Sequence, residues 1–253
     1  MKKKGFADYY IDEWHANNYI AWFNRAKEEL GLDYELTYAW AYQHDKEGLL
    51  NTTQWCEKNG FIECATAEEL CEKSDYILLL APSDPQVHLM LAEKILPCGK
   101  TTYIDKTFAD RLENAKKIYE LADKYNTKIF STSALRYSDE LNEFKDKKID
   151  ATATTGNGGS LEEYAIHQIE MIVKLMGTEA ESVKLFHEKC LSTAIISFGG
   201  GRTATLSFGI SGKPYSVDVQ AEGEARSLYR KISSEYFYNL ITSIIYAICA
   251  TLV

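Results

Sequence analysis

Six cysteines occur in the 253 residues, at positions 56, 64, 71, 98, 190 and 249, and no two of them are spaced as Cys-x-x-Cys. Without that spacing, no zinc ribbon or redox dithiol is expected. Scattered thiols in a chain of this length fit a reducing compartment, and the cytoplasm is the expected location. Basic residues are outnumbered, 28 Lys and Arg against 37 Asp and Glu, giving a formal net charge of -9. No nucleic-acid partner is expected, because that affinity rests on neutralising phosphates with Lys and Arg. The one basic run, Lys2-Lys3-Lys4, reads as a short flank. No apolar h-region follows it, so no secretory signal is expected. The uncharged stretch from Asn239 to Val253 is fifteen residues long. A membrane span needs about 20, so the stretch reads as a core helix and no membrane partner is expected. No fixed-period repeat or low-complexity linker is found.

What is present is an ordinary globular composition, 45% hydrophobic and 26% charged, in a chain long enough for one large or two modest domains. Up to residue 131, strand-like and helix-like segments alternate. Strands are expected at Phe6–Tyr10, Tyr34–Tyr42, Tyr76–Ala81, Thr101–Ile104 and Lys128–Ser131. Helices are expected at Glu13–Leu30, Thr53–Asn59, from Asp84 as a cap to Leu96, and at Leu112–Tyr125, with a capping box at Thr66–Glu69. The run Tyr76–Ala81 is continuously apolar, as in a parallel strand buried on both faces. This alternation predicts a doubly wound, Rossmann-like parallel sheet over 1-131. Its functional residues should follow the carboxyl ends of the strands. From 132 to 253 the pattern changes. A Gly156–Gly159 loop is followed by a helix at Leu161–Met176, then alternating apolar strands between Ser182 and Gln220, then a last helix from Ser234 to about Ala250. That predicts an α+β domain with a mainly antiparallel sheet.

The first strand-to-helix turn should carry the glycines that let a backbone approach a pyrophosphate. Here it reads Ala7-Asp8-Tyr9-Tyr10-Ile11-Asp12, with no glycine. An Asp at this turn repels phosphate, and the tyrosines fill the space glycines leave open. The second strand ends at Tyr42, with Asp45 three residues on, in place of the expected acid for the ribose. The strand Thr101–Ile104 runs out into Asp105-Lys106, a charged pair poorly placed for packing and well placed for a ligand. A lysine there can hold a substrate oxygen or donate a proton. An ordinary surface pair is the alternative.

The stretch Cys98-Gly99-Lys100 followed by Tyr103-Ile104-Asp105-Lys106-Thr107 resembles the Gfo/Idh/MocA oxidoreductases, which carry Glu-Lys-Pro after the fifth strand. Asp105 stands for the Glu and Thr107 for the Pro. The turn Pro82-Ser83-Asp84-Pro85 is also similar. A second match is Gly158-Gly159, then Glu163, then His167 four residues later, then Glu170. Glu163 and His167 share a helix face, where a carboxylate can orient an imidazole for proton transfer. A solvated Glu-His pair is the alternative. Glu163, His167 and Glu170 also invite a metal, but no second His or Cys lies at ligand spacing, so none is expected.

The resemblance implies NAD or NADP as cofactor. It places Asp8, Tyr9, Tyr10, Ile11, Ser83, His88 and Asp105 on the cofactor side and Lys106, Glu163 and His167 as catalytic residues. Arg136 and Tyr137, after the sixth strand, would meet the substrate, Arg136 through its forked guanidinium. The implied activity is oxidation or reduction of a sugar, polyol or related hydroxylated small molecule. Pairing into a homodimer or higher homo-oligomer through the open face of the second sheet is expected. Two rivals remain: a binding or regulatory protein that kept the fold and lost the cofactor, and a lyase or hydrolase using Lys106 and His167. Trp14, Trp22 and Trp40 read as core more readily than as pocket, and His15 and His187 read as structural.

Overall fold

The computed structural model describes residues 1–249. The chain divides into two compact units, Met1–Thr132 together with the stretch from Ile241, and Ser133–Leu240.

The first unit holds β1 (Lys2–Asp8), α1 (Trp14–Leu30), β2 (Tyr34–Ala41), α2 (Thr52–Asn59), β3 (Ile62–Glu63), α3 (Ala67–Lys73), β4 (Tyr76–Leu79), α4 (His88–Ile95), β5 (Thr102–Ile104), α5 (Leu112–Lys124) and β6 (Ile129–Phe130). The strands pair in the order β3-β2-β1-β4-β5-β6, and every pairing is parallel. This is the doubly wound order expected of the alternating pattern. Ile77, Leu78 and Leu79 are fully buried because helices cover both faces of the sheet. Thr66 caps α3 by accepting from the Glu69 amide, while the Glu69 carboxylate reaches back to the Ala65 amide.

Three expectations change here. The basic run is not a flank: Lys2–Lys4 belong to β1, and Lys4 lies buried with its ammonium 4.0 Å from the Tyr34 ring centre. Asp84 does not cap a helix to Leu96. Its carboxylate accepts from Gln86, a 3₁₀ turn follows at Pro85–Val87, and α4 begins at His88. The cysteines are not all free: Cys71 on α3 and Cys98 after α4 form a disulfide. The argument from unpaired thiols to a reducing compartment therefore fails for this pair.

The second unit holds β7 (Ile149–Asn157), α6 (Leu161–Met176), β8 (Ala180–His187), β9 (Leu191–Phe198), β10 (Thr203–Gly209), β11 (Ser216–Ala221) and β12 (Leu228–Lys231). The order is β12-β11-β7-β10-β9-β8. Only the β7–β10 pairing is parallel; the others are antiparallel. Phe198, Leu206, Phe208, Val217 and Val219 pack with Met171 and Ile172 of α6 in one buried cluster. A last helix, α7 (Tyr236–Cys249), starts in this unit and from Ile241 is counted with the first. The expected end of that helix at Ala250 and the apolar run to Val253 lie outside the described residues.

Glu140, on a 3₁₀ segment, secures the approach to α7. Its carboxylate accepts from the Ser233 amide (2.7 Å) and hydroxyl (3.0 Å) and from the Ser234 amide (2.9 Å) and hydroxyl (2.6 Å). Burial alone would raise this carboxyl, but the Ser234 and Ser233 donors outweigh it and pull it down to about 2. A depressed carboxyl stabilises the fold above its unfolded value of about 4.3, and that gain is lost as pH falls through the folded value. We expect Glu140→Gln to cost about 1–3 kcal/mol at pH 7. The gap to the parent should close between pH 4.5 and pH 2 in urea melts; a gap unchanged over that window would refute the assignment.

Candidate functional site

The carboxyl ends of β1, β4 and β5 carry the polar residues of the first unit. Asp8 closes β1 and is fully buried. Its Oδ1 accepts from the Tyr9 amide (2.7 Å) and the Ala81 amide (3.1 Å), while Oδ2 has no hydrogen-bond partner among the described residues. Burial pushes its carboxyl well above the ordinary range, and the charges of Glu13 and Asp105 add to the push. Ile11 is a core residue, 2% exposed. Tyr9 meets Tyr10 edge-on at 4.7 Å and stacks on Tyr42 at 5.8 Å. Asp12 accepts from Asn17 and from the Leu50 amide. Glu13, the N-cap of α1, pairs with Lys46, whose ammonium also sits 4.7 Å from the Tyr10 ring centre.

A dinucleotide laid on this turn would need open backbone and a positive helix end. No glycine occurs between Gly5 and Gly31. Tyrosines fill the turn, and Asp12 and Glu13 stand at the start of α1. These residues do not fit a diphosphate, and the expected cofactor contacts of Asp8 and Ile11 are corrected: both side chains are interior.

His88 is also interior. Its Nδ1 faces the Phe108 carbonyl (3.0 Å), and its Nε2 faces the carbonyls of Leu80 (2.7 Å) and Ala81 (3.1 Å). Burial pushes its imidazole below the usual range. The ring thus ties the end of β4 to the segment after β5, and the expectation that it contacts a cofactor is replaced by that bracing. Ser83 is exposed on the turn beside it.

Asp105, at the end of β5, is fully buried and pairs with His15 of α1. Its Oδ1 accepts from the Tyr103 hydroxyl (2.9 Å) and the Lys106 amide (2.8 Å). Burial would raise this carboxyl, but the charge and hydrogen bond of His15, then Lys106, hold it below its usual value. A direct cofactor contact by the Asp105 side chain is thereby corrected to an internal grip. Lys106 is 7% exposed and donates from Nζ to the Pro82 carbonyl at 3.2 Å; its peptide bond to Thr107 is cis.

In the second unit α6 carries the chemistry. Ser160 caps it by accepting from the Glu163 amide. His167, one turn beyond Glu163, is 8% exposed. Its Nδ1 meets the hydroxyl of Ser133, which is fully buried. The ring meets Tyr164 at 5.9 Å and Tyr215 edge-on at 5.8 Å. Ser133 stands beside the motif read from the sequence, but nothing local marks it as the partner of a histidine 34 residues away. Arg136 is not free for a substrate carboxylate through NH1, which pairs with Glu170 at 3.0 Å. Burial raises the Glu170 carboxyl against the pull of that guanidinium. Tyr137 is half-buried, and its carbonyl accepts from Asn239. A cavity of about 190 Å³ opens at the start of α6, near Ser160, His187 and Cys190, and neither Glu163 nor His167 lines it. Among the described residues, no group of three or more His, Cys, Asp or Glu is placed to hold a metal.

Gly158 lets α6 seat its first turn. A Cβ there would collide with the Cβ and ring root of Tyr164, which cannot swing away as a chain end can. At Gly159 the nearest atom would be 3.8 Å away. Gly158→Ala is therefore expected to cost about 1–3 kcal/mol by overpacking, and Gly159→Ala less than about 0.5 kcal/mol. Equal costs in denaturant melts would refute the packing account.

No family model matches the sequence, and no curated protein matches it. Solved structures do. A dehydrogenase from Clostridium difficile is 15% identical with a TM-score of 0.75, over 99% of this chain and 90% of that one. UDP-N-acetylglucosamine 3-dehydrogenase from Acidithiobacillus ferrooxidans is 12% identical with a TM-score of 0.77, over 99% and 89%. Biliverdin reductase from Synechocystis, solved with biliverdin and NADP+, is 14% identical with a TM-score of 0.71, over 99% and 92%. The chain thus has the fold of Gfo/Idh/MocA-type dehydrogenases, as the sequence resemblance implied. No helix among the described residues is long and apolar enough to cross a membrane.

Proposed function

We propose that the chain is an oxidoreductase acting on a hydroxylated small molecule of the sugar or polyol kind. The observation that carries this reading is His167: an almost buried imidazole on a dehydrogenase fold, with Nδ1 fixed by the Ser133 hydroxyl and its ring against two tyrosines. A group so oriented suits moving a hydroxyl proton. Lys106, at the carboxyl end of the parallel sheet, would hold the reacting oxygen, and Glu163 would bias His167 from one turn away. The substrate would meet Tyr137 and the Arg136–Glu170 pair. Structural neighbours solved with NAD or NADP+ supply the case for a nicotinamide cofactor, while the Tyr9–Tyr10 turn does not fit its diphosphate.

The closed first turn favours a second reading, a binding or regulatory protein of the same fold that holds no dinucleotide. Titration with NADH and NADPH, followed by nicotinamide fluorescence, separates the two. Micromolar binding of either supports the oxidoreductase; none at millimolar concentration removes it.

The reading includes a homo-oligomer formed through the second sheet. Supporting the pairing, the open face presents Phe186 of β8 beside Leu191 and Ile195 of β9, all exposed. Sedimentation velocity should find a dimer or larger at micromolar concentration. A Phe186→Glu, Ile195→Glu variant should be monomeric, and a monomeric parent would refute the pairing.

A further inference from the structure

We propose that His15 is a positioning residue for Lys106, acting through Asp105 as a buried, hydrogen-bonded clamp on the Asp-Lys turn. This deepens the proposed function, since it assigns a control on the lysine invoked there.

The observations lie within the first unit. The glycine-free turn leads α1 inward, so that His15, 5% exposed, pairs with the fully buried Asp105. The ring of Tyr19, one turn on, stacks on His15 at 4.9 Å, and Trp14 packs edge-on at 5.2 Å. The other side of Asp105 is gripped by the Tyr103 hydroxyl and the Lys106 amide. Tyr103 also reaches the Thr132 carbonyl at 3.2 Å, which ties β5 to the end of the β6 segment. The charged and titratable groups around the carboxylate are therefore His15 and Tyr19 from α1, Tyr103 from β5, Lys106 beyond it, His88 from α4 and Asp8 from β1. Asp105 is fully buried. An isolated carboxylate here would take up a proton rather than stay charged. Protonated, it would lose much of its strength as acceptor for the Lys106 amide. His15 is thus the group that keeps Asp105 ionised and the turn gripped.

The test follows the Lys106 backbone amide proton by NMR in the ¹⁵N-labelled full chain from pH 4.5 to 8.5. In the parent it should show no carboxyl titration inside that window, because Asp105 is held below its usual value. In His15→Ala it should move with a carboxyl titrating inside that window. In His15→Asn, which keeps a donor but no charge, it should move to an intermediate extent. A Lys106 amide that superimposes on the parent at every pH in His15→Ala overturns the clamp. If that variant does not fold, the same outcome in His15→Asn does so. Lys106→Met, assayed for turnover, tests the lysine separately. Full activity there removes the proposed role of Lys106 and leaves the clamp standing, whereas an unmoved amide removes the clamp and leaves the proposed function.

Discussion

A His167→Ala variant should lose about 10²–10⁴-fold in kcat/KM toward the best substrate of a sugar and polyol panel that includes UDP-N-acetylglucosamine, assayed with NAD+ and NADP+. That is the usual scale for removing a general acid or base. Ser133→Ala leaves the imidazole in place and removes only the contact at Nδ1, so its loss should be smaller, about ten-fold, and should appear with a shifted pH profile. Lys106→Met should lower kcat more than it raises KM if the lysine acts on the developing charge. The proposed roles of His167 and Lys106 require both to act on one substrate. A double-mutant cycle reads that requirement directly. Coupling above about 1 kcal/mol shows a shared transition state, whereas effects that add to within about 0.5 kcal/mol would sink the joint role.

The first unit was legible because buried parallel strands and capped helices leave local marks. The apolar run before Ala81, the Thr66 cap and the glycine ending α1 each predict their element from a few neighbouring residues. The strand β7 left no such mark. Its sequence, IDATATTGN, has three threonines and runs into the glycines expected as a loop. It lies instead between β10 and β11 in the middle of its sheet. Its threonines can be buried there because neighbouring strands satisfy the hydroxyls: Thr152 donates to the Asp218 carbonyl and Thr154 to that of Thr205. The site divides the same way. Asp105-Lys106 stood out as charge at the end of a buried strand, and the missing glycines stood out by position. The partners that orient these groups did not, because His15 lies 90 residues from Asp105 and Ser133 lies 34 from His167. Such pairs are created by strand order, which no local pattern encodes.

Strand order also explains the largest expected change in stability. Cys71 and Cys98 are 27 residues apart and lie with Cα atoms 6.0 Å from each other. The loop they close contains β4 and α4, the centre of the first unit. Cross-linking a loop of that length removes enough entropy from the unfolded chain to stabilise the fold by about 3.5 kcal/mol. Cys98→Ala should therefore lower Tm by about 7–14 °C for a chain of this size. Alanine is chosen because Cys71 would remain as a small apolar group among Leu70, Ile95 and Leu96. Reductant separates the bridge from packing: it should lower the Tm of the parent by a similar amount and leave Cys98→Ala unchanged. The other described thiols should not exchange into the bridge readily. Burial pushes Cys56 up to about 12 and Cys64 up to about 11, which leaves little thiolate at neutral pH. Exposed Cys190 should alkylate first. Mass spectrometry of the unreduced protein that finds Cys71 and Cys98 both alkylated, together with a Tm indifferent to reductant, would remove the bridge and restore the expectation of free thiols.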